Sequence, residues 1–192
     1  MTNQNFTHKI CLIYGNQQLL VEETTNSLIE QCLEGREHEW SLERFNAQEI
    51  LKPSGDSGKN SVDDFLISCE TLPMLSDRKV IQLDNFELIK KAVKKNDNSA
   101  AARLFEAVQN IINNPPESLW FIFTSPVMRE QDFCKPLFRS IKQNGRIQKF
   151  VAYDNSSPFN WVVQRGEKKG LPLSADAARL MINIVGNDLA DL

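Results

Sequence analysis

The chain has 192 residues, enough to bury one sizeable core or to form one domain plus part of a second. Its 41% hydrophobic and 24% charged content is ordinary for a folded protein, and a net charge of -3 supplies no overall basic field for nucleic acid or membranes. No apolar run approaches the ~20 residues that span a bilayer, and the polar start at residues 1–5 lacks the layout of a secretion signal, so a cytoplasmic protein with no membrane partner is expected.

Residues 9–14 form a compact apolar run that stops at Gly15, as a buried strand does at a turn. A helix follows over 18–33, with Val21, Leu28 and Cys32 on one side and Gly35 as its expected closing residue. Residues 39–45 alternate Trp40, Leu42 and Phe45 as a second strand, and the Gly- and Ser-rich stretch 53–59 reads as an exposed loop. From Ser61 an amphipathic helix carries Val62, Phe65, Leu66 and Cys69 at helical spacing, with Asp63 and Asp64 in its first turn.

An apolar tetrad follows this helix: Leu72, Pro73, Met74 and Leu75. Pro73 biases Leu72 away from helical geometry and cannot donate to a continuing helix. The tetrad therefore lies outside the core-facing periodicity. Two readings stand: a plug that fills the end of the domain's own core, or an apolar loop that enters a partner's pocket. The polar turn Ser76, Asp77 and Arg78 then launches a third strand over 79–83.

Beyond Asp84 and Asn85, Lys90, Lys91, Lys94 and Lys95 crowd a short helical piece that breaks at 96–99. Such a run fits a solvated face and, as an alternative, a phosphate-facing patch of a DNA-binding module. A helix over 100–113, a strand over 119–123, a helix with Leu137, Phe138 and Ile141, and a strand over 146–151 complete an alternating pattern. Five strands alternating with helices imply an α/β fold, a parallel sheet covered on both faces.

After Tyr153 the pattern changes. Residues 154–158 read as a polar linker, followed only by helices: one through Phe159, Val162 and Val163, and one through Ala177, Leu180, Met181, Ile184 and Val185 up to Gly186. Asn187 and Asp188 would cap a third helix that the sequence cuts short, so the expected division is an α/β domain over 1–153 and a partial three-helix lid over 154–192, a fragment of a longer protein.

A five-stranded α/β sheet followed by a helical lid is the layout of the AAA+ nucleotide-binding module. ATP binding there needs a glycine-rich loop ending in Gly-Lys-Ser/Thr, because bare backbone N–H groups cradle phosphates while the lysine neutralises them. The corresponding run here is Gly15, Asn16, Gln17, Gln18, Leu19 and Leu20, with one glycine and no lysine. Magnesium needs an acidic pair after the third strand, but Asn85 follows Asp84, which reads as a turn or cap residue. The lid lacks an arginine after Gly186, Asn187 and Asp188. ATP hydrolysis is not expected, although an AAA+ ATPase with a degenerate loop remains the enzyme alternative.

No nucleophile elbow, Cys–His pair or close carboxylate pair supplies other chemistry, so no catalytic residue and no cofactor is assigned. Cys11, Cys32, Cys69 and Cys134 are widely spaced, and His8 and His38 are the only histidines, which points to reduced core thiols rather than a metal site or disulfide frame.

The order of parts resembles the delta subunit of the bacterial DNA polymerase III clamp loader over the whole chain. The resemblance is carried by "ICLIYGNQQLLVEE", "TLPMLSDRKVIQLDNFE", "LWFIFTS" and "FNWVVQRGEKKGLPLSADAARLMINIVGNDLADL" in that order and spacing. It implies an AAA+-like module that has lost ATP binding, and a non-catalytic subunit that binds the ring-shaped sliding clamp (the beta subunit) and promotes its opening for loading onto primed DNA. The family's clamp-binding apolar pair falls on Met74 and Leu75, flanked by Thr71, Leu72, Pro73 and Ser76. Many members carry an aromatic residue where Leu75 stands. The resemblance also implies further loader subunits as partners of a full-length protein, through a collar domain that nothing in this sequence matches, and contact with primed DNA only through the complex.

Overall fold

The computed structural model describes residues 8–34, 41–52, 61–71, 73, 77–90, 99–127, 129–150 and 156–186. Its centre is a parallel sheet of β1 (Ile10–Tyr14), β2 (Leu42–Asn46), β3 (Lys79–Asp84), β4 (Leu119–Ser125) and β5 (Arg146–Lys149), in spatial order β2-β3-β4-β1-β5. All pairings are parallel, with Leu12 opposite Phe123 and Ile147, and Ile81 opposite Phe121 and Glu43. The connecting helices are α1 (Gln18–Leu33), the four-residue α2 (Ala47–Ile50), α3 (Val62–Glu70), α4 (Ala100–Asn113) and α5 (Lys135–Asn144). They are followed by α6 (Ser156–Lys168) and α7 (Ala175–Val185).

Alternation along the central strands divides the core between two faces. Ile10, Leu12, Tyr14, Ile81, Leu83, Phe121 and Phe123 point into the larger cluster, where they meet Phe65 of α3, Leu104 and Val108 of α4, and Leu137 and Ile141 of α5. Cys11, Ile13, Val80 and Ile122 point the other way and meet Val21, Leu28, Ile29 and Cys32 of α1. One helix cannot cover five strands. At the flanks of the α1 face the strand positions are accordingly polar: Arg44, Gln82 and Asp84 on one side, Arg146 and Gln148 on the other.

Several boundaries differ from the sequence reading. The left-handed residue that closes α1 is Glu34 (φ 50°), whose N–H donates to the Glu30 carbonyl; its side chain is held by Arg78 at 2.5 Å. Gly35, the residue expected there, lies outside the described residues. β2 begins at Leu42, and α2, not expected, follows it because the Asn46 side chain accepts the Gln48 N–H at 2.8 Å. β5 ends at Lys149, although the Phe150 N–H still donates to Tyr14.

The linker expected at 154–158 is shorter on its C-terminal side. Helix α6 already includes Ser156 to Pro158, and a proline in a first turn sacrifices no intrahelical bond. Of the helical piece expected through Lys90, Lys91, Lys94 and Lys95, only Lys90 is described; it belongs to no regular element and follows a 3₁₀ turn over Phe86–Leu88. Lys91, Lys94, Lys95, the loop at 53–59 and the third lid helix lie outside the described residues.

Among the described residues no helix is long and apolar enough to cross a membrane.

Candidate functional site

Two places on the sheet carry the sequence-derived expectations, at opposite ends of β3. The first is the connection from α3 to β3. Ser61 caps α3 through a reciprocal box, its Oγ accepting the Asp64 N–H at 3.1 Å while the Asp64 carboxylate accepts the Ser61 N–H at 3.0 Å. Val62 and Phe65 are buried, Leu66 and Cys69 are half-buried, and Ile67, one step off the core face, is 61% exposed. At the helix end the Thr71 hydroxyl and N–H both donate to the Ile67 carbonyl, at 2.6 and 2.8 Å, and Thr71 turns extended (φ -79°, ψ 118°). Here the chain leaves the helix.

Of the six residues expected at a clamp contact, Thr71 is exposed and Pro73 is half-buried outside any regular element. Leu72, Met74, Leu75 and Ser76 lie outside the described residues. The returning limb is held on both faces of the sheet by consecutive cations. Arg78 donates to the Cys32 carbonyl at 3.4 Å and to Glu34, and its guanidinium lies 5.3 Å from the centre of the Trp120 ring. Lys79 turns to the opposite face, where its ammonium donates to the Ser68 carbonyl at 2.9 Å and pairs with Glu43 at 2.6 Å. The sequence reading took Lys79 only as a strand's first residue and did not single out Ile67. The available signals were an unshared cation at the head of an apolar strand and an apolar residue off an amphipathic helix's buried stripe.

The second place is the carboxyl end of the sheet, where a nucleotide would sit in a related module. Only Gly15, Asn16 and Gln17 separate β1 from α1. The Gly15 N–H donates to the Ser125 carbonyl and the Gln17 N–H to the Phe150 carbonyl. Two amides that a phosphate cradle leaves bare are thus spent on β4 and on the residue that follows β5. Gly15 (φ 152°) is pressed against Phe150 so closely that a Cβ there would fall 1.7 Å from its carbonyl oxygen.

Beside α1, a cleft of about 490 Å³ is lined by Thr25, Arg44, Gln82, Asp84 and Thr124 among others. Asp84 is neither a turn nor a cap residue, as the sequence reading had it. It ends β3, and its Oδ1 accepts from Gln82 at 2.8 Å and Thr124 at 2.5 Å. Gln82 in turn accepts from Arg44 at 3.1 Å. This chain of bonds follows from the flank that α1 leaves uncovered. Among the described residues no group of three or more His, Cys, Asp and Glu is placed to hold a metal ion.

Lys90, the described member of the lysine run, donates to the Asp132 carbonyl at 2.7 Å. The thiols of Cys11 and Cys32 are buried, and burial pushes them up to about 12 and about 11; the partly covered Cys69 is likewise pushed up to about 12. At neutral pH these are inert core groups rather than nucleophiles.

The strand order, the helices on both faces and the short β1–α1 turn define an AAA+-like α/β module. The family model for the DNA polymerase III delta subunit matches residues 11–151, and the chain belongs to that family. Among solved structures it is similar to the Bacillus subtilis DNA clamp loader delta protein (YqeN), with a TM-score of 0.68 and 16% identity, over 96% of this chain and 50% of that one. It also matches a DNA polymerase III gamma subunit-related protein from Thermotoga maritima, with a TM-score of 0.47 and 15% identity, over 88% of this chain and 50% of that one. The chain thus spans half the length of each solved protein. No curated protein matches it.

Proposed function

We propose that this chain is the clamp-contacting part of a clamp-loader delta subunit: it binds the sliding clamp through Thr71, Leu72, Pro73, Met74, Leu75 and Ser76, promotes opening of the ring for loading onto primed DNA, and catalyses nothing itself. Membership of the delta family carries this reading. The geometry supports it, because the connection between α3 and β3 leaves one rigid element at an exposed residue and re-enters another between two anchored cations. Fixed stems lower the entropic cost of ordering the residues between them on binding. Binding an opened ring more tightly than a closed one shifts the ring toward opening by the difference in affinity alone.

The spent amides at Gly15 and Gln17 support an ATP-blind role, with residues 1–153 as scaffold and 154–192 as the beginning of a lid. ATP bound by other loader subunits would then govern when the apolar residues are offered, and those subunits would be met by parts of a longer protein.

The test is a titration of sliding clamp with the protein, with and without ATP. Replacing Met74 and Leu75 together by alanine is expected to weaken binding by about 3–6 kcal/mol, as for two apolar side chains withdrawn from a pocket, with the melting temperature unchanged. Wild-type affinity in that variant would refute the assignment, and ATP-dependent binding by this chain alone would refute its ATP-blindness.

A further inference from the structure

Charge is not spread evenly along this chain. Its net charge is -3, yet residues 133–153 hold Lys135, Arg139, Lys142, Arg146 and Lys149 and not one Asp or Glu. Three of these cations fall on α5, four and then three residues apart, so they share one side of the helix. Leu137, Phe138 and Ile141 are buried against the sheet, whereas Lys135, Arg139 and Lys142 are all exposed. At a rise of ~1.5 Å per residue the three charges are spread over roughly 10 Å.

None of the three has a carboxylate within ion-pair distance among the described residues, whereas Arg78, Arg103, Arg129, Arg165 and Arg179 each sit on one. Helix stability does not account for the row either. Lys142 in the last turn suits the helix dipole, but Lys135 opens the helix, where a cation opposes it, and the first turn has no acidic residue to compensate. The flank towards α4 is mostly neutral amides: Gln109 donates to the Ser140 hydroxyl at 2.8 Å, Asn144 donates to the Asn113 side chain at 3.4 Å, and Asn110 and Gln143 are exposed. Glu106, the one acidic residue of α4, pairs with none of the three cations, and Asp132 ahead of α5 is held by Arg129. Lys149, exposed at the end of β5, adds a fourth charge on the same face of the sheet. Its ammonium lies 5.8 Å from the centre of the Tyr14 ring, which packs edge-on against Phe138 of α5.

We propose that this face of α5 binds the phosphate backbone of duplex DNA directly, through Lys135, Arg139 and Lys142. A row of unpaired cations is the electrostatic footprint of a polyanion, and the exposed amides beside it are donors that phosphate and sugar oxygens accept. A protein partner would want an apolar centre to the contact, and none of the large hydrophobic side chains exposed among the described residues belongs to α5 or β5. A single strand would be gripped by stacking on aromatic side chains; α5 offers none, its Phe138 being buried. The contact is therefore indifferent to base sequence. It does not depend on the clamp-binding reading, since α4 stands between α5 and α3, the helix that leads into the proposed clamp contact.

The experiment is a salt titration in which binding of a short fluorescent DNA duplex is followed by anisotropy. Wild-type affinity is expected to fall about fortyfold between about 50 and about 200 mM salt, as for three phosphates neutralised. Lys135→Gln, Arg139→Gln and Lys142→Gln together keep good helix formers at exposed positions, so the melting temperature should not change. That variant is expected to bind at least about tenfold more weakly at the lower salt and to lose most of the salt dependence. A control variant, Lys52→Gln with Lys169→Gln and Arg179→Gln, removes three exposed cations elsewhere and is expected to bind within about twofold of wild type, because distant charges are screened. A single strand of the same length is expected to bind more weakly than the duplex.

No duplex binding by the wild-type protein at the lower salt, or an equal loss in the control variant, overturns the proposal. Tighter binding of the single strand overturns its duplex character. A variant of the α5 row that keeps its duplex affinity but loses clamp affinity would assign the row to a protein contact instead. Should the wild-type protein bind duplex through these residues but not bind clamp, the DNA contact is upheld and the clamp-binding reading fails.

Discussion

At the scale of single residues, Gly15 is the tightest point of the β1–α1 turn. The φ of 152° and the contact with Phe150 leave no room for a side chain, so the glycine serves close packing of the β1–α1 turn onto the sheet rather than access to a phosphate. Gly15→Ala is expected to cost at least about 2 kcal/mol, a fall of roughly 4–8 °C in melting temperature, from backbone strain and collision. A thermal melt within a degree of wild type would show that the turn relaxes freely. Thr25 illustrates the opposite economy: its buried hydroxyl lines the polar cleft without a hydrogen-bond partner among the described residues.

At the scale of elements, an ion pair ties α6 to α1. Arg165 of α6 makes a two-pronged pair with Glu23 of α1 and lies 5.4 Å from the centre of the Trp161 ring. Both charged partners are about one-third exposed, so the pair contributes on the order of 0.5–1 kcal/mol. That is little for the whole protein, so its loss should show at α6 alone. Arg165→Ala is therefore expected to speed amide exchange in α6 several-fold while leaving the sheet's exchange and the melting temperature unchanged, measured by hydrogen exchange.

The connection from α6 to α7 folds closely back on α6, where a side chain at Gly166 would meet Leu171 and Leu173. Of α7, however, only Ala178 is buried, and Leu180 and Ile184 remain 59% and 74% exposed. Their helical spacing reads correctly as an apolar stripe. Nothing among the described residues covers that stripe.

At the scale of the whole molecule, the buried thiols tie stability to alkaline pH. Free thiols ionise near 9, whereas those of Cys11 and Cys32 hold their protons to about 12 and about 11 in the folded protein. Above pH 9 the unfolded chain thus binds fewer protons than the folded one, and stability falls as pH rises, by up to ~1.4 kcal/mol per pH unit for each thiol. Below pH 9 these groups contribute no slope. Urea unfolding between pH 8 and 10.5 should show a steeper loss for wild type than for Cys32→Ala, and equal slopes would place that thiol in water.

Much of this architecture was legible in the chain because local signals and tertiary burial agree. The runs from Ile10 to Tyr14 and from Leu119 to Phe123 are apolar without alternation since both faces of those strands are covered, and the periodicity of α4 survives because a single face is buried. β2 was misplaced at its start because Leu42, Glu43 and Arg44 follow the uncovered flank, where alternation is weak.

The sequence by itself determined the order of the five strands and of the longer helices between them, the lack of a lysine in the turn after β1, and the apolar residues between α3 and β3, because spacing, side-chain type and proline act over a few neighbours. Only the tertiary structure decided that Gly15 and Gln17 spend their amides on the Ser125 and Phe150 carbonyls, that Asp84 joins a polar chain beside α1, and that the Lys79 ammonium reaches the Ser68 carbonyl. Those contacts join residues far apart in the chain, and which of them form is set by how the helices cover the sheet.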